Sequence, residues 1–348
     1  MTKRNPDLRS DDTSRRIAPR GVTMEEVGRL AGVSQVTVSR ALSDRTKVSA
    51  ATLAKIHAAI EATGFVPNAI AGALASQKSM LVSALVPSIT NIVYAAALQA
   101  FSDVLRPSGY QVLLSETGFD PQDEESMIRA HLSRRPDAVV LTGIHHTDKA
   151  RQMLRAADIP VVEIWDTTET PIDLCVGFSH IAAGQAAAQF AVERGYTSAV
   201  TVSADEERAL RRQSAFAARF ASLTGSDVAR IGCAAQASLG DGRAALGHIV
   251  EAGFSKGTVI FCSSDVLAHG ILTELAVRGL SAPGDFAVIG FGDQAFAADT
   301  APALTTLRVD RSTLGRVAAK ALLARFDGHL TDERVMDIGF EVIPRGSA

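Results

Sequence analysis

Two periodicities divide the chain. From Val22 to Gly64 apolar positions recur at helical spacing, whereas beyond about residue 80 short apolar runs alternate with alanine-rich amphipathic stretches. In the first region Thr23 and Glu26 make a capping box, bracketed by Val22 and Val27 as a hydrophobic staple, so a helix is predicted to start at Met24. Gly32 supplies a turn, and Ser34 caps a second helix in which Val38 and Ala41 or Leu42 face inward. Gln35, Val36, Ser39 and Arg40 then share the outer face. Ser49 opens a third helix with Leu53, Ile56 and Ile60 on one stripe, closed by Gly64. Two short helices and a tight turn, followed by a supporting helix, are the grammar of a helix-turn-helix unit, although any small helical bundle shares those features.

In the second region β-type runs fall at residues 81–86, 111–114, 138–142, 161–164, 199–202, 258–261 and 287–289. Strands alternating with helices predict parallel, doubly wound α/β sheets, and the number of strands over this length predicts two of them. Such a pattern serves many enzymes equally well.

Charge sharpens the division. The whole chain has 35 Lys+Arg and 38 Asp+Glu, a net of −3, but residues 1–80 carry 12 and 7, leaving 23 and 31 for the remainder. A positive module of +5 is thus joined to an acidic one of −8, which suits phosphate binding at the N-terminal end alone. No apolar run approaches the ~18 residues of a membrane span. The first 20 residues are polar and lack a signal-peptide core, so they are read as a disordered arm and the protein as cytoplasmic. Cys175, Cys233 and Cys262 are scattered in apolar segments, as expected of buried thiols rather than of a disulfide or zinc set.

Enzyme chemistry leaves little trace. Gly290-Phe291-Gly292-Asp293-Gln294-Ala295 matches the dinucleotide fingerprint in form, yet Pro302 follows closely and no strand with a terminal acid arrives at the required distance. There is neither a P-loop nor a nucleophile elbow. His145-His146 has no cysteine or acid at metal-ligand spacing and reads as a solvated turn. Neither catalytic residues nor a metal or other cofactor are expected.

The N-terminal unit closely resembles the DNA-binding headpiece of the lac repressor family of bacterial transcription regulators. The resemblance is carried by Val22-Thr23, Ala31-Gly32-Val33-Ser34, Thr37-Val38-Ser39-Arg40-Ala41-Leu42, Val48-Ser49 and Gly64-Phe65-Val66-Pro67-Asn68. It implies that Gln35 and Val36 read bases, that Arg40 contacts a base edge, and that Thr23, Ser34, Thr37, Ser39 and Asn68 position phosphates. That division is physically reasonable: arginine can make two hydrogen bonds to guanine, whereas short hydroxyls suit backbone oxygens. Val36 departs from a polar reader and offers only an apolar contact, such as to a thymine methyl.

From about residue 80 onward the chain resembles the same family's effector-binding core, similar in fold to periplasmic sugar-binding proteins. Val86-Pro87-Ser88 with Asn91, Gly177-Phe178-Ser179-His180, Ser264-Asp265, Val288 to Asp293 and Pro302 to Leu307 carry this likeness. It implies two lobes joined by three crossovers, with a ligand between them. Ser88, Asn91, Arg212 and Asp265 are mapped to the cleft; Trp165, the sole tryptophan, and Asp166 follow a strand end there. Trp165 either packs on a sugar's C–H face or fills the core. Arg208, Arg211 and Arg212 lie together, and only the resemblance selects Arg212 among them. The stretches Val162 to Asp166, Thr170 to Asp173 and Val176 to His180 look like repressors of gluconate utilisation within the family. Arg212 would then pair with the ligand carboxylate, while Asp265 accepts from hydroxyls.

The resulting organisation is an arm over 1–20, a helix-turn-helix domain over 21–66, a hinge over 67–79 and a two-lobed core over 80–348. Asn68, Ala71 and Leu74 are expected on DNA, where the resemblance makes the hinge helical and Leu74 a minor-groove wedge. A segment this short falls below the roughly 12–15 residues that sustain a helix in water, and Gly72 costs about 1 kcal/mol more than alanine. One headpiece reads only a half-site, so a homodimer on a pseudo-palindromic operator is expected. No leucine heptads follow Pro344, and the tetramer tail of the lac repressor is not expected. A solute-binding protein or a sugar-processing enzyme would share the core; the first would not carry residues 22–76, and the second would turn its ligand over.

Overall fold

Thr23 caps the first helix of the computed structural model, its hydroxyl accepting from the Glu26 N–H while the Glu26 carboxylate accepts from the Thr23 N–H at 2.8 Å. The structure describes residues 21–67, 78–254, 256–329 and 333–348. They fall into two units, one ending at Ser79 and the other beginning at Met80.

In the first unit α1 (Met24–Ala31), α2 (Gln35–Ser43) and α3 (Ala50–Thr63) enclose a small core of Val27, Ala31, Val38, Ala41, Ile56, Ala59 and Phe65. Gly32 is left-handed at φ 69° and ends α1, and Gly64 does the same for α3. Gly28 has a tighter duty: a Cβ there would meet the Val33 carbonyl, so its absence lets α1 turn closely into α2. Of the two residues left open for the inner face of α2, Ala41 is the one buried, and Leu42 is exposed. The hinge residues Asn68, Ala71 and Leu74 lie outside the described residues.

The second unit holds two six-stranded sheets. The first has β1 (Leu81–Val86), β2 (Gln111–Glu116), β3 (Ala138–Thr142), β4 (Val161–Ile164), β5 (Leu174–Gly177) and β11 (Val335–Asp337), in the order β11-β5-β4-β3-β1-β2. The second has β6 (Ser198–Ala204), β7 (Val228–Cys233), β8 (Thr258–Cys262), β9 (Phe286–Phe291), β10 (Thr305–Arg308) and β12 (Glu341–Ile343), in the order β12-β10-β9-β8-β6-β7. Every pairing is parallel except β10 with β12. The chain therefore crosses between sheets after β5, after β10 and after β11.

Helices α4 (Ile92–Leu105), α5 (Pro121–Leu132) and α6 (Asp148–Ala157) connect the strands of the first lobe, and α8 (Glu207–Thr224), α9 (Leu239–Glu251) and α10 (Asp265–Val277) those of the second. On the crossovers, α7 (His180–Glu193) packs on α8, and α11 (Arg311–Phe326) packs back on α4. Both crossover pairings rest on glycine. A Cβ on Gly315 would overlap the Ala97 carbonyl of α4, and one on Gly184 would overlap the Arg212 carbonyl of α8. Central strands are buried on both faces, which is why they read as continuous apolar runs.

Two expectations need correction. Cys175 and Cys262 are buried, but Cys233 is only half-buried because it ends β7, an edge strand. His145 is exposed, but the neighbouring His146 side chain is fully buried, not in a solvated turn. Its Nδ1 lies 2.6 Å from Glu124 Oε1 and its Nε2 3.4 Å from Glu163 Oε1. Glu163 Oε2 in turn accepts from the Ile172 N–H at 2.7 Å. The imidazolium thus ties the end of β3 to α5 and to β4. Burial alone would lower the His146 pKa, but hydrogen bonds and charge from Glu124 and Glu163 raise it to about 9. Because this lies above the ordinary 6.5, the bridge contributes fully below pH 6.5 and is lost as pH rises through 9. Urea unfolding of the wild type is expected to show a decline of about 3 kcal/mol over that window from this group. His146→Gln should flatten it; an identical decline in the variant would assign it elsewhere.

Candidate functional site

On the first unit, Ser34 caps α2 through the Thr37 N–H at 3.2 Å, and the two hydroxyls lie 2.9 Å apart. One turn of backbone is thereby fixed with both oxygens at its exposed start. Gln35, Val36, Ser39 and Arg40 are all exposed on α2, and Val36 is 59% exposed despite being apolar. Arg40 makes no ion pair among the described residues, so its planar fork of donors is available to an acceptor. Thr23 is also exposed but is engaged with Glu26.

In the second unit, β1 and β6 occupy the points where the strand order of each sheet reverses, and crevices open there at the carboxyl ends of the strands. A cavity of about 270 Å³ lies between them. Ser88 and Asn91 enter it from the β1–α4 connection, with Asn91 capping α4 through the Val93 N–H at 3.1 Å. Trp165 enters from the end of β4 in a left-handed conformation, φ 74°, that its side chain adopts at a cost. Gly177 permits this: a Cβ there would overlap the backbone of Asp166. Trp165 is 4% exposed, edge-on to both Tyr94 and Phe178.

The opposite wall is built from α8 and the ends of β8 and β9. Arg212 is 6% exposed and its guanidinium lies 3.9 Å over the Phe291 ring. It donates to the Ser263 carbonyl at 3.0 Å and to His180 Nδ1 at 2.8 Å. His180 Nε2 donates to the Trp165 carbonyl at 2.8 Å, which fixes the tautomer. Burial, together with the Arg212 and Arg208 charges, holds His180 well below its usual pKa and therefore neutral. Burial and the neighbouring Arg208 charge lower Arg212 to about 10 against the attraction of Glu206, with which Arg212 makes no ion pair. Arg212 Nε and Trp165 Nε1 are buried donors without a partner.

Arg208 is different. It pairs with Glu206 at 2.6 Å and donates to the Tyr94 hydroxyl at 2.9 Å, reaching from the second lobe to the first. Tyr94 and Glu206 outweigh burial and keep it firmly protonated. Gln236 also crosses the cavity, donating to Thr90 at 3.2 Å. Among the described residues, no helix is long and apolar enough to cross a membrane, and no group of three or more His, Cys, Asp or Glu could hold a metal ion.

Comparison with known proteins matches residues 23–68 to the model of the bacterial regulatory proteins of the lacI family, and residues 188–348 to a periplasmic binding protein-like domain. An HTH-type transcriptional regulator GntR of Pseudomonas aeruginosa is 35% identical over 327 residues, covering 93% of this chain and 95% of the relative. This chain belongs to the lacI family. An HTH-type transcriptional regulator GntR of Escherichia coli K12 is 30% identical over 325 residues, covering 93% and 98%. The crystal structure of a LacI-family transcriptional regulator from Silicibacter pomeroyi superposes with a TM-score of 0.88 at 32% identity, covering 94% of this chain and 99% of that one. A lac repressor dimer bound to operator and the anti-inducer ONPF shares the fold, with a TM-score of 0.81 at 21% identity, covering 94% and 99%. This lacI-family protein is a DNA-binding transcriptional regulator.

Of the residues expected at its effector cleft, Ser88, Asn91, Trp165 and Arg212 line one cavity, but two do not. Asp166 is buried and ion-paired with Arg211 of α8, which also pairs with Glu207. It therefore bridges the lobes beside the cavity instead of facing into it. Asp265 is fully buried at the start of α10, accepting from the Thr306 hydroxyl at 2.5 Å and the Gln294 N–H at 2.7 Å. Burial raises its pKa to about 6 against those hydrogen bonds. The regulator's cavity carboxylate, among the described residues, is Glu206, which the sequence reading missed along with Tyr94, His180, Arg208 and Arg311. The arginine cluster after the 199–202 run was the available signal. Tyr94→Phe would leave a buried Arg208 donor without an acceptor and should destabilise the protein by about 1–3 kcal/mol. Urea unfolding at unchanged m measures this; a loss below about 0.5 kcal/mol would mean that water replaces the hydroxyl.

Proposed function

We propose that this regulator is a repressor, without enzymatic activity, whose affinity for operator DNA responds to a sugar acid held between its core lobes, with gluconate as the ligand. The observation that carries the ligand class is the pairing of Arg212, a buried cation without a carboxylate, with Trp165 Nε1, a second unpartnered donor lining the same cavity. Both donors require an acceptor, and a guanidinium in so confined a space favours an anionic one. Ser88, Asn91 and Gln236 add neutral groups that suit hydroxyls, and the indole face suits a C–H surface. Gluconate joins a carboxylate to a chain of hydroxyls. The GntR name of the relatives, together with the Val162 to His180 stretch, supports that choice.

On DNA, Arg40 reads a base edge, Gln35 and Val36 read adjacent positions, and Thr23, Ser34, Thr37 and Ser39 hold phosphates. The same role is proposed for Asn68, with Ala71 and Leu74 in the minor groove. A homodimer on a pseudo-palindrome supplies the second half-site.

Titrating the purified protein with gluconate should give a saturable change in Trp165 fluorescence, abolished in Arg212→Ala. A response to other sugars but not to gluconate would discard this ligand and leave the regulator standing. For the headpiece, operators are selected from a random duplex pool and binding is compared at fixed salt. Arg40→Ala should weaken the selected duplex by about 10- to 100-fold more than a random one. Equal losses on both would assign Arg40 to phosphate.

A further inference from the structure

The cavity carries more positive charge than one carboxylate can match. Among the described residues three guanidinium groups line it, from Arg208, Arg212 and Arg311, against the single lining carboxylate of Glu206. Arg208 already holds Glu206, and the remaining Glu206 oxygen accepts from the Ala209 N–H at 3.1 Å. Arg212 and Arg311 are left without ion pairs among the described residues.

Arg311 is the first residue of α11 and is half-buried. Its hydrogen bond is to a backbone carbonyl, that of Asp293, at 3.0 Å. The carboxylates nearest in sequence or across the fold are all engaged elsewhere. Asp310 caps α11, accepting from the Thr313 N–H at 2.9 Å and its hydroxyl at 2.6 Å. Asp293 is held by Arg308 at 2.6 Å and by Arg345 at 2.7 Å. Asp265 is within reach of the Arg311 charge but makes its hydrogen bonds to Thr306 and Gln294. A guanidinium keeps its proton, and Arg311, half-buried at the cavity wall without an ion pair of its own among the described residues, can receive an anionic group from a ligand.

The two unmatched cations hold different parts of one strand end. Arg212 lies over the ring of Phe291, whereas Arg311 binds the carbonyl of Asp293, two residues further on. Gly292, between them, lines the cavity without a side chain to interpose. A ligand lying along this segment meets a cation at each of two positions.

We infer that Arg311 is a specificity residue for a second anionic group, so that the preferred effector is a sugar acid carrying a phosphate or a second carboxylate. This rests on the sugar-acid reading above and narrows it. The second group would pair with Arg311 in a partly desolvated site, where charge-assisted hydrogen bonds are strongest. A singly charged acid leaves one of the two arginines unmatched.

The test is isothermal titration of the full-length protein with gluconate, 6-phosphogluconate and glucarate at fixed ionic strength. At least one of the two acids with a second anionic group is expected to bind roughly tenfold or more tightly than gluconate, and which one identifies that group. Arg311→Gln should collapse that ratio toward one, while Arg311→Lys, which keeps the charge, should retain a clear preference. Urea unfolding of both variants establishes that each is folded. Gluconate binding best, or a preference that survives Arg311→Gln, overturns this inference alone; it would mean that one carboxylate bridges both arginines or that the second anion sits elsewhere. A wild type that binds none of the three overturns the sugar-acid reading itself.

Discussion

The core of this regulator is organised around keeping Arg212 charged and buried without an ion-paired acid among the described residues. Several features of the fold serve that one guanidinium. Gly184 lets α7 approach the Arg212 carbonyl, which brings His180 into reach. The His180 tautomer is set by the Trp165 carbonyl, and the Trp165 conformation is in turn allowed by Gly177. Phe291 supplies a π-face in place of a counter-ion. Burying an unpaired charge costs several kcal/mol.

The first lobe solves a comparable problem in the opposite way. His146 is buried with its counter-charges supplied by the protein, in Glu124 and Glu163, and so it braces rather than binds. Asp166 and Arg211 satisfy each other across the lobes. Among these buried charges His146, Asp166 and Arg208 each have a counter-charge in an ion pair, whereas Arg212 has none among the described residues.

Most of the architecture could be read from local signals. Capping at Thr23, Ser34 and Ser49 is a matter of residues three apart, and the central strands are continuous apolar runs, so both were legible. The strands that escaped notice are those at or near the sheet edges and those that return from the crossovers. β7 is interrupted by Arg230, β5 and β10 span four residues each, and β11 and β12 span three. The pairing of β11 is decided by a partner more than a hundred residues away, β5. The site was partly legible because strand ends following β1 and β6 are predictable places for a crevice. The direction of each side chain was not. Asp166 and Asp265 follow strand ends just as Ser88 does, yet their carboxylates turn to Arg211 and to Thr306. Local sequence contains neither partner.

The three crossovers limit how such a regulator can be rebuilt. β11 and β12 are sequence neighbours that belong to different sheets, so no cut in the chain releases one lobe intact. The match to a periplasmic binding protein-like domain begins at residue 188 and yet includes β11, a strand of the other sheet. Exchange of one continuous segment therefore cannot replace a single lobe as a module. The boundary at Met80 has no such constraint. There the chain passes once from one compact unit to the other, so the two are contiguous in sequence as the lobes are not.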